Sequence, residues 1–326
     1  MRVLNLVTND TARFFDQQVR ALAAAGVEST TVPVPGAPRY YAEETTRSVL
    51  DYARFYPRVL RESLDGYDLV HANYGLTAPH ALAQPTRPVV LSLWGSDLMG
   101  EYGWLTRRLA RYADAVIVMS DEMAAELDVP AHVVPHGVDF ETFAPIPTAA
   151  ARERLEWDLD ARHVLFPYHP DRAVKDFPRA ERVVESARDR LDSPLELHAV
   201  TGLPHAEMPR YMNAADCLLL TSRREGSPNS VKEALACNLP VVTTDVGDVQ
   251  QRLQDVTPSF VCRSDAELVD ALAAVLARPE RSDGRETLGS LGLERMAARI
   301  HGVYESVLDD PAETDTRRVT AAPSGR

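Results

Sequence analysis

A polar loop in the second half of the chain carries residues that could bind and polarise an anionic ligand. Glu225-Gly-Ser-Pro-Asn229 follows a buried apolar run and precedes a helical pattern that contains Glu233. Backbone N–H groups at the start of a helix, here those of residues 230–232, favour an anion because the helix dipole is positive there. With Asn229 as N-cap, we expect the two glutamates to address different ends of one elongated ligand. An ordinary solvated turn is the alternative, since glycine, proline and asparagine are common in turns.

Both halves of the chain alternate short apolar strands with helical patterns, which is typical of an α/β fold with parallel sheets. The predicted strands of the first half are Val3–Thr8, Thr30–Val34, Leu69–Ala72, Val89–Leu93, Ala115–Met119 and His132–Val134. Those of the second half are His163–Pro167, Glu196–Val200, Cys217–Thr221, Val241–Thr244 and Ser259–Cys262. The predicted helices are Thr11–Ala25, Thr46–Leu64, Trp104–Tyr112, Asp121–Leu127, Pro178–Arg190, Met208–Ala214, Ser230–Ala236, Asp265–Ala277 and Leu293–Leu308. The second helix should kink or break at Pro57.

This pattern predicts two doubly wound, Rossmann-like domains. A proline-punctuated stretch at residues 143–147 indicates a linker, so the first domain should span residues 1–145 and the second residues 146–292. We expect helix 293–308 to pack back on the first domain and the polar tail 309–326 to be disordered. Ligands of such sheets bind beyond the carboxyl ends of the strands, so both domains are expected to face a central cleft.

Composition narrows the class of function. The formal net charge of −13 over 326 residues argues against a nucleic-acid partner, which requires a basic surface. Only Lys175 and Lys232 are lysines, which suits either a high-salt cytoplasm or GC-rich coding. No apolar run approaches the roughly 20 residues of a membrane span, and the N-terminus leads directly into a strand pattern. The three cysteines lie in apolar surroundings that indicate buried, reduced thiols, so we expect a cytoplasmic protein.

The polar loop and the helix after it resemble the E-x7-E signature of glycosyltransferase family 4, whose members are retaining enzymes of the GT-B fold. Glu225 and Glu233 match the two glutamates, and Glu-Ala-Leu-Ala-Cys-Asn-Leu-Pro-Val-Val-Thr-Thr at 233–244 matches the sequence that follows them. Other segments resemble the family in the same order and spacing: residues 71–75, 93–98, 134–139, 165–175 and 203–216. The resemblance covers the chain up to about residue 308.

The resemblance implies a site for a sugar-nucleotide donor. Arg172 and Lys175 would hold the diphosphate, Glu225 would lie beside the donor sugar, and Glu233 would accept hydrogen bonds from the ribose. The base would lie against the loop of residues 202–208. Apart from Glu225, Lys175 and Arg172 as catalytic residues, the donor-binding positions so implied are Glu233, Gly226, Ser227, Pro228, Asn229, Ser230, Val231, Gly202, Leu203 and Met208. Without the family context, Arg172 and Lys175 are equally well explained as solvated surface charge.

The resemblance also implies a sugar and acceptor side in the first domain, where the sequence departs from the family. Many relatives have a histidine where Trp94 stands; its ring can stack on a sugar and its N–H is free to donate, but it cannot transfer a proton. A glycine pair common after the first strand is replaced by Thr8 and Asn9. His71 and His136 could contact the sugar or be packed histidines. The positions assigned to this side are Thr8, Asn9, Arg13, His71, Trp94, Asp97 and His136.

The implied reaction transfers a sugar, with retention of anomeric configuration, from a nucleoside-diphosphate donor to a glycan or glycolipid acceptor. The nucleotide sugar is a co-substrate, and the resemblance implies no cofactor and no obligatory metal. Two alternatives stay open: a non-catalytic module that binds sugar nucleotides or glycans, and a sugar-nucleotide epimerase on the same fold. The first predicts binding without turnover, whereas a transferase releases nucleoside diphosphate when an acceptor is present.

A lipid-linked acceptor would bring the protein to a membrane surface. Basic and aromatic residues interleave on one predicted helix, which suits anionic headgroups: Arg47, Arg54, Arg58 and Arg61 with Tyr52, Phe55, Tyr56 and Leu60. A second predicted helix carries Arg107, Arg108 and Arg111. Ordinary amphipathic helices with solvated arginines are the alternative to peripheral contact with the inner membrane surface.

Overall fold

The computed structural model describes residues 1–36 and 47–309 and divides them into two compact units. The first unit comprises Met1–His136 with the C-terminal segment from Leu293, and the second comprises Gly137–Gly292. Residues 310–326, where a disordered tail was predicted, lie outside the described residues, as does Thr46 at the predicted start of the second helix. The described helices include none with the length and apolar character that a bilayer crossing requires.

The elements follow the predicted alternation. The strands are β1 (Arg2–Val7), β2 (Glu28–Pro33), β3 (Leu69–Ala72), β4 (Val89–Ser92), β5 (Ala115–Val118), β6 (His132–Val133), β7 (Arg162–Phe166), β8 (Leu195–Ala199), β9 (Cys217–Leu220), β10 (Val241–Thr244) and β11 (Phe260–Cys262). The helices are α1 (Arg13–Ala24), α2 (Val49–Glu62), α3 (Ala78–Leu82), α4 (Gly103–Ala110), α5 (Asp121–Ala125), α6 (Thr148–Leu155), α7 (Phe177–Arg188), α8 (Met208–Ala214), α9 (Asn229–Ala236), α10 (Val249–Leu253), α11 (Asp265–Ala277), α12 (Gly284–Thr287) and α13 (Leu293–Asp309). Each predicted strand is present, and its ends differ from the prediction by at most two residues.

Both sheets are parallel and have the same strand order. The first runs β2-β1-β3-β4-β5-β6 and the second β11-β10-β9-β7-β8, so the first strand of each unit lies between the second and the third. In such doubly wound sheets, the point where the strand order reverses opens a crevice at the carboxyl ends of the two strands. The reversal lies between β1 and β3 in the first unit and between β7 and β9 in the second.

The helix α13 belongs to the first unit. Its residues Met296, Ile300, Val303 and Tyr304 are buried in the same apolar cluster as β1, β3, β4 and β5, and it packs against α1. This placement is the one expected for a C-terminal helix that packs back on the first domain.

The units divide at His136 rather than at residue 145. Residues 137–145 belong to the second unit because Val138 pairs with Gly292 and because Phe143 is fully buried in the second unit's core. Arg285 extends this attachment: its guanidinium donates to the carbonyl of Phe143 at 2.6 Å and to that of Phe140 at 2.9 Å. The proline-punctuated stretch is therefore part of a domain and is not a free linker.

Pro57 does not break α2, which runs from Val49 to Glu62 around it. A proline inside a helix leaves the carbonyl four residues earlier without its amide partner. Here that residue is Ala53, and both Ala53 and Pro57 are exposed, so water can take the place of the missing donor. The prediction was a kink or a break, and the break does not occur for this reason.

Candidate functional site

A buried ion pair lies at the strand-order reversal of the second unit. Lys175 follows β7 and Glu225 follows β9, and the lysine Nζ donates to the Glu225 Oε1. Their side chains are only 6% and 14% exposed. The Ser222 Oγ also donates to Glu225 Oε1, at 2.6 Å, and the Lys175 Nζ lies 3.6 Å from the ring centroid of Tyr168. The structure thus brings together two of the three residues that the resemblance marks as catalytic.

The two loops that carry the pair are tied to each other through the backbone. The Thr221 Oγ1 donates to the carbonyls of Lys175 and Asp176, each at 3.0 Å, and the Arg223 N–H donates to the carbonyl of Val174 at 2.9 Å. Asp176 has a left-handed backbone with φ of 52°, a conformation that aspartate tolerates better than most residues. The position of Lys175 is therefore fixed by neighbouring backbone and not by its own flexible side chain.

The lysine cation is held in surroundings that disfavour charge. Burial and, to a smaller extent, the Arg172 guanidinium lower the pKa of Lys175 to about 8, against the opposing effect of the Glu225 carboxylate. The exposed Arg172 has its guanidinium carbon 5.7 Å from the centroid of the Tyr168 ring that Lys175 also contacts. Two cations and one carboxylate around a single aromatic ring form a site where an anionic ligand can replace the carboxylate as counter-ion.

The start of α9 differs from the prediction. Pro228 is the N-cap and Asn229 the first helical residue, so Asn229 does not cap the helix with its side chain. The Val231 N–H donates to the Pro228 carbonyl at 3.2 Å and the Val231 side chain is in the core, so this residue does not offer a free amide. Proline has a fixed φ that suits this boundary, which moves the helix start one residue earlier. The Asn229 Oδ1 is buried and has no hydrogen-bond partner among residues 1–36 and 47–309.

Ser230 and the loop before it are held by side-chain and backbone contacts. The Ser230 Oγ is hydrogen-bonded to the Tyr168 hydroxyl, and the Ser227 Oγ donates to Asp248 Oδ2 at 2.8 Å. The Gly226 carbonyl accepts the Asp248 N–H at 3.2 Å and would lie 2.4 Å from a Cβ at position 247, so only glycine fits there. These contacts fix the chain between the two glutamates.

Glu233 lies in a different environment from Glu225. Its Oε1 is 2.8 Å from the Nε2 of His205, whose ring packs 4.8 Å from that of Phe143, centroid to centroid. His205 belongs to the loop of residues 202–208, in which Gly202 is exposed with φ of +75°. Leu203 and Met208 pack against the core cluster at the base of this loop. The loop predicted to meet the nucleotide base is therefore tied directly to the predicted ribose-binding glutamate.

The turn predicted to shape the acceptor side of the first unit is closed on itself. The indole N–H of Trp94 donates to the Asn73 carbonyl at 3.0 Å, so it is not free to donate as predicted. Its ring lies 4.3 Å from that of Phe14 and 5.8 Å from that of His136. The buried Asp97 accepts the N–H groups of Trp94, Gly95 and Gly75 at 2.9–3.0 Å, and burial raises its pKa against the effect of these bonds. Asp97 holds this turn together.

The two histidines assigned to the sugar side are packed histidines. His71 is fully buried with its ring nitrogens 2.6 Å from the Tyr304 hydroxyl and 2.7 Å from the Ser92 Oγ, and burial lowers its pKa to about 3. His136 is also buried, and its Nε2 donates to the Phe14 carbonyl at 2.9 Å. His71 therefore cannot reach a ligand at the surface of the unit.

Thr8, Asn9 and Arg13 lie beyond the carboxyl end of β1, at the strand-order reversal of the first unit. The Asn9 Oδ1 accepts from the N–H and the hydroxyl of Thr11, at 3.1 and 2.8 Å, and so fixes this turn. Arg13 is exposed at the start of α1. This loop is the part of the predicted acceptor side that is open to solvent.

Three residues that complete the donor-side geometry were not predicted: Tyr168, Ser222 and His205. Tyr168 and His205 lie within segments that resemble the family and Ser222 lies just before the signature loop, but none of the three stands at a signature position. Tyr168 comes two residues after β7 and Ser222 two residues after β9, at the switch point. Their nearness to the carboxyl ends of these strands was a usable signal, because ligands of doubly wound sheets bind there.

Comparison with known families agrees with this geometry. Residues 11–142 match the family described as Glycosyltransferase Family 4, and residues 178–278 match that described as Glycosyl transferases group 1. Both descriptions are of the glycosyltransferase family that the sequence resembles, so the recognition of this family is confirmed, and the curated relatives support a nucleotide-sugar-dependent glycosyltransferase.

Individual proteins show the same likeness. The lipopolysaccharide core biosynthesis mannosyltransferase of Rhizobium meliloti is 28% identical over 63% of this chain and 69% of its own length. Among the first three curated relatives, the matched part is 50–69% of the relative's length. The structure of sucrose-phosphate synthase from Thermosynechococcus elongatus covers 95% of this chain and all of its own, with a TM-score of 0.71 and 19% identity. Anabaena HepE in complex with UDP-glucose covers 94% of this chain and all of its own, with a TM-score of 0.68 and 13% identity. These structures confirm the predicted GT-B fold.

Proposed function

We propose that this protein transfers a hexosyl group from a nucleoside-diphosphate sugar to a glycan or glycolipid, with retention of anomeric configuration and without an obligatory metal. The observation that carries the proposal is the buried Lys175–Glu225 pair with Arg172 and Tyr168 at the strand-order reversal of the second unit. A mannosyltransferase of lipopolysaccharide core synthesis and a structure that holds UDP-glucose are similar to this chain, which supports the substrate class.

The cations act on the leaving group. When the sugar–phosphate bond breaks, negative charge develops on the diphosphate, and fixed positive groups stabilise it most in a site with little water. Lys175 is preorganised for this role because its backbone is tied to Thr221 and its side chain is buried. The diphosphate would displace Glu225 as the partner of Lys175, and Arg172 would supply the second cation from its exposed position.

The displaced carboxylate acts on the sugar. Glu225 keeps a hydrogen bond from Ser222 at 2.6 Å, so it stays oriented after Lys175 moves to the phosphate. A carboxylate held beside the donor sugar stabilises the positive charge that develops on the sugar ring in the transition state. Glu233, held by His205, would accept hydrogen bonds from the ribose hydroxyls at the other end of the donor.

The decisive experiment measures nucleoside diphosphate release. A panel of UDP- and GDP-sugars is first ranked by the rise in melting temperature, and the best donor is then incubated with and without candidate acceptor glycans. A transferase releases nucleoside diphosphate in an acceptor-dependent way, and the anomeric configuration of the product by NMR tests retention. Binding without release supports the non-catalytic module, and interconversion of the sugar nucleotide without acceptor supports the epimerase.

Variants assign the site. His205→Ala should raise the KM for the donor by roughly 3–10-fold with little change in kcat, because it removes one hydrogen bond from Glu233. Glu185→Gln, on the exposed face of α7, is the matched control and should leave both constants unchanged. An unchanged KM in His205→Ala would show that Glu233 does not bind the donor in this orientation.

A glycolipid acceptor would place the first unit at a cytoplasmic membrane surface. Val49, Leu50 and Leu64 at the two ends of α2 are 87%, 54% and 70% exposed, and Arg54, Arg58 and Arg61 are exposed between them. The predicted aromatic face is not available, since Phe55 is buried and Tyr52 and Tyr56 pack against His80. A helix with exposed apolar residues at its two ends and basic residues between them suits an anionic lipid surface. The three cysteines are free and buried, which fits a reducing compartment.

Flotation with vesicles tests the membrane surface directly. Binding to vesicles with anionic lipid should fall when salt is raised, and Leu50→Ser combined with Leu64→Ser should weaken it at every salt concentration. Leu159→Ser is the control, since its side chain is 53% exposed but belongs to the second unit. Absence of binding at low salt would exclude the membrane contact without affecting the proposed reaction.

A further inference from the structure

Three side chains on the sheet of the second unit bring atoms that can ligate a metal ion close to one another. The Nδ1 of His163 lies 2.9 Å from the Nε2 of His198. The Oε2 of Glu196 lies 3.7 Å from the former and 3.4 Å from the latter. Two ligands on a tetrahedral Zn²⁺, with bonds of about 2.0–2.1 Å, are separated by about 3.3–3.4 Å. The three atoms therefore already span nearly one face of a zinc coordination tetrahedron.

The sheet itself sets this arrangement. In the parallel pairing of β7 and β8, His163 is opposite Glu196 and Leu165 is opposite His198. Alternate residues of a strand point to the same face, so Glu196 and His198 share a face with each other and with His163. The ladder fixes their spacing, unlike that of acidic and basic side chains that meet by chance on a flexible surface.

A hydrogen bond outside the cluster sets the tautomer of the buried histidine. The Nε2 of His163 lies 2.7 Å from the carbonyl of Asp158, which can only accept, so the Nε2 carries a proton and the neutral ring has its lone pair on Nδ1. Metal-binding histidines characteristically donate their other N–H to a carbonyl or carboxylate in this way. His198 now donates to that lone pair, and it becomes a ligand when its proton moves to its own Nδ1, with no net change in charge.

The surroundings leave the cluster accessible to an ion from solvent and add no net charge to it. His163 is fully buried, His198 is partly exposed and Glu196 has half of its side chain exposed. The nearby Arg152 cation acts on His198. The charge of Arg152 is balanced by Asp216, whose Oδ1 is 2.7 Å from it.

We propose that His163, His198 and Glu196 bind one divalent transition-metal ion, with Zn²⁺ as the best fit and water in the fourth position. Imidazole nitrogen with one carboxylate favours zinc, nickel or copper over magnesium or calcium. The ion would clamp the edge strand β8 to β7. The site shares no residue with the proposed donor site, so it stands independently of the proposed reaction.

Trp157 makes the site measurable in the full chain. Its ring stacks on that of His198, with centroids 3.7 Å apart and an interplanar angle of 12°, and lies 4.7 Å from that of His163. The chain has only two other tryptophans, Trp94 and Trp104. A paramagnetic ion such as Cu²⁺ at the proposed site should therefore quench a large part of the fluorescence, and Trp157→Phe should lose this quenching while keeping its affinity for Zn²⁺.

The test uses chelator-treated full-length protein titrated with Zn²⁺ by calorimetry and with Co²⁺ by visible absorption, where tetrahedral Co²⁺ gives intense bands. We expect one ion per chain, and a rise in melting temperature of roughly 5–10 °C when Zn²⁺ is about 100-fold above its Kd. His198→Gln and Glu196→Gln should each weaken Zn²⁺ binding at least tenfold and abolish the Co²⁺ bands.

The matched control is His301→Gln, which removes a histidine 3.6 Å from Glu305 on α13 where no second histidine is paired with it. It should leave Zn²⁺ affinity unchanged. Glu196 is exposed, so Glu196→Gln tests the ligand set even if replacing a histidine disturbs folding, which the melting temperature without metal reports. Non-saturable binding by the parent protein, or an affinity for Zn²⁺ in His198→Gln and Glu196→Gln equal to that of the parent, would overturn the proposal.

Discussion

The turn at residues 94–97 in the first unit and the loop at residues 222–229 in the second both follow a strand, but the protein satisfies their polar groups to different degrees. In the turn, the indole N–H of Trp94 donates to a backbone carbonyl, and Asp97 accepts three backbone N–H groups. At the loop, the desolvated Lys175 of a neighbouring segment faces the Glu225 carboxylate. The buried oxygens Asn229 Oδ1, in the loop, and Asp248 Oδ1, next to it, have no hydrogen-bond partner among the described residues.

This difference separates a scaffold from a binding site. Buried polar groups that are all paired rigidify a turn and gain little from a ligand, because a ligand would have to break a bond before it could form one. A buried ion pair with few further hydrogen-bond partners is stabilised by a ligand that forms additional hydrogen bonds and ionic contacts with it. We therefore expect changes in the turn to alter mainly stability, and changes in the loop to alter mainly sugar transfer.

The largest effect should come from Lys175, the cation that pairs with Glu225 of the loop. Lys175→Met removes the buried cation, and we expect kcat to fall by about 10²–10³-fold, as when a preorganised electrostatic group is lost. It should also destabilise the fold by on the order of 3 kcal/mol because Glu225 is left buried without its partner. The double variant Lys175→Met, Glu225→Gln should regain most of the stability and none of the transfer. Steady-state kinetics and urea unfolding measure the two effects separately.

Arg188→Met is the matched control for this experiment, since Arg188 pairs with Glu185 on the surface of α7. An exposed pair contributes little, so both transfer and stability should be nearly unchanged. If the double variant transfers sugar at the parent rate, the Lys175–Glu225 pair has a structural role only, and the comparison between the two units fails.

The opposite pattern is expected for the turn. Asp97→Ala leaves three backbone N–H groups without their acceptor and should lower the free energy of unfolding by about 3 kcal/mol. Asp128→Ala, which breaks an exposed pair with Arg111, should change it by less than about 1 kcal/mol. Denaturant unfolding checks both, and the donor Kd of folded Asp97→Ala should stay close to that of the parent. A Kd weakened tenfold or more at unchanged stability would place Asp97 among the ligand contacts.

The pH dependence of transfer sharpens the role of the loop. Burial lowers the pKa of Lys175 from 10.5 to about 8, so the free enzyme loses this cation as the pH rises through about 8. Since the charged form stabilises the leaving diphosphate, kcat/KM should fall above that pH by up to about tenfold per pH unit. In Lys175→Arg the side chain stays charged, and the alkaline fall should move to higher pH.

A competing source of the same fall is Lys232, whose pKa burial also lowers to about 8. The arginine variant distinguishes the two lysines. An alkaline fall that remains near pH 8 in Lys175→Arg would assign it to Lys232 or another group and would remove the electrostatic argument for Lys175.

Much of the fold could be predicted because its strands are short, apolar and buried, so that each one is a distinct run between polar turns. Four of the helices in the described residues were missed. The helices α3, α10 and α12 have four or five residues, too few to show a helical period. The eight-residue helix α6 buries only Ala151 and Arg152, so it has no apolar stripe. That Lys175 and Glu225 lie in one site followed from the family resemblance, but the ion pair between them did not. The partner of the Trp94 N–H could not, because it is the carbonyl of Asn73, which follows another strand and becomes a neighbour only through the sheet.

The same limit applies to α9 and to Asp97. Asparagine is a common N-cap residue, but Pro228 occupies the N-cap position, so the Asn229 side chain does not cap the helix. Asp97 is a carboxylate in a turn. From the sequence alone it could equally contact a ligand or stabilise the turn by hydrogen bonds. Burial decides between these roles, and burial depends on how the strands are ordered.

The smallest effect, and the finest test of the comparison, is Trp94→Phe. It keeps an aromatic ring against Phe14 and removes the N–H that donates to Asn73. Loss of one such bond should lower the free energy of unfolding by about 1 kcal/mol, while kcat and the donor KM change by less than about threefold. Chemical denaturation and initial-rate kinetics on the same preparation provide the two values. A fall in transfer of tenfold or more at unchanged stability would mean that the indole N–H leaves Asn73 to bind the ligand, and the first unit would then share in the chemistry assigned to the second.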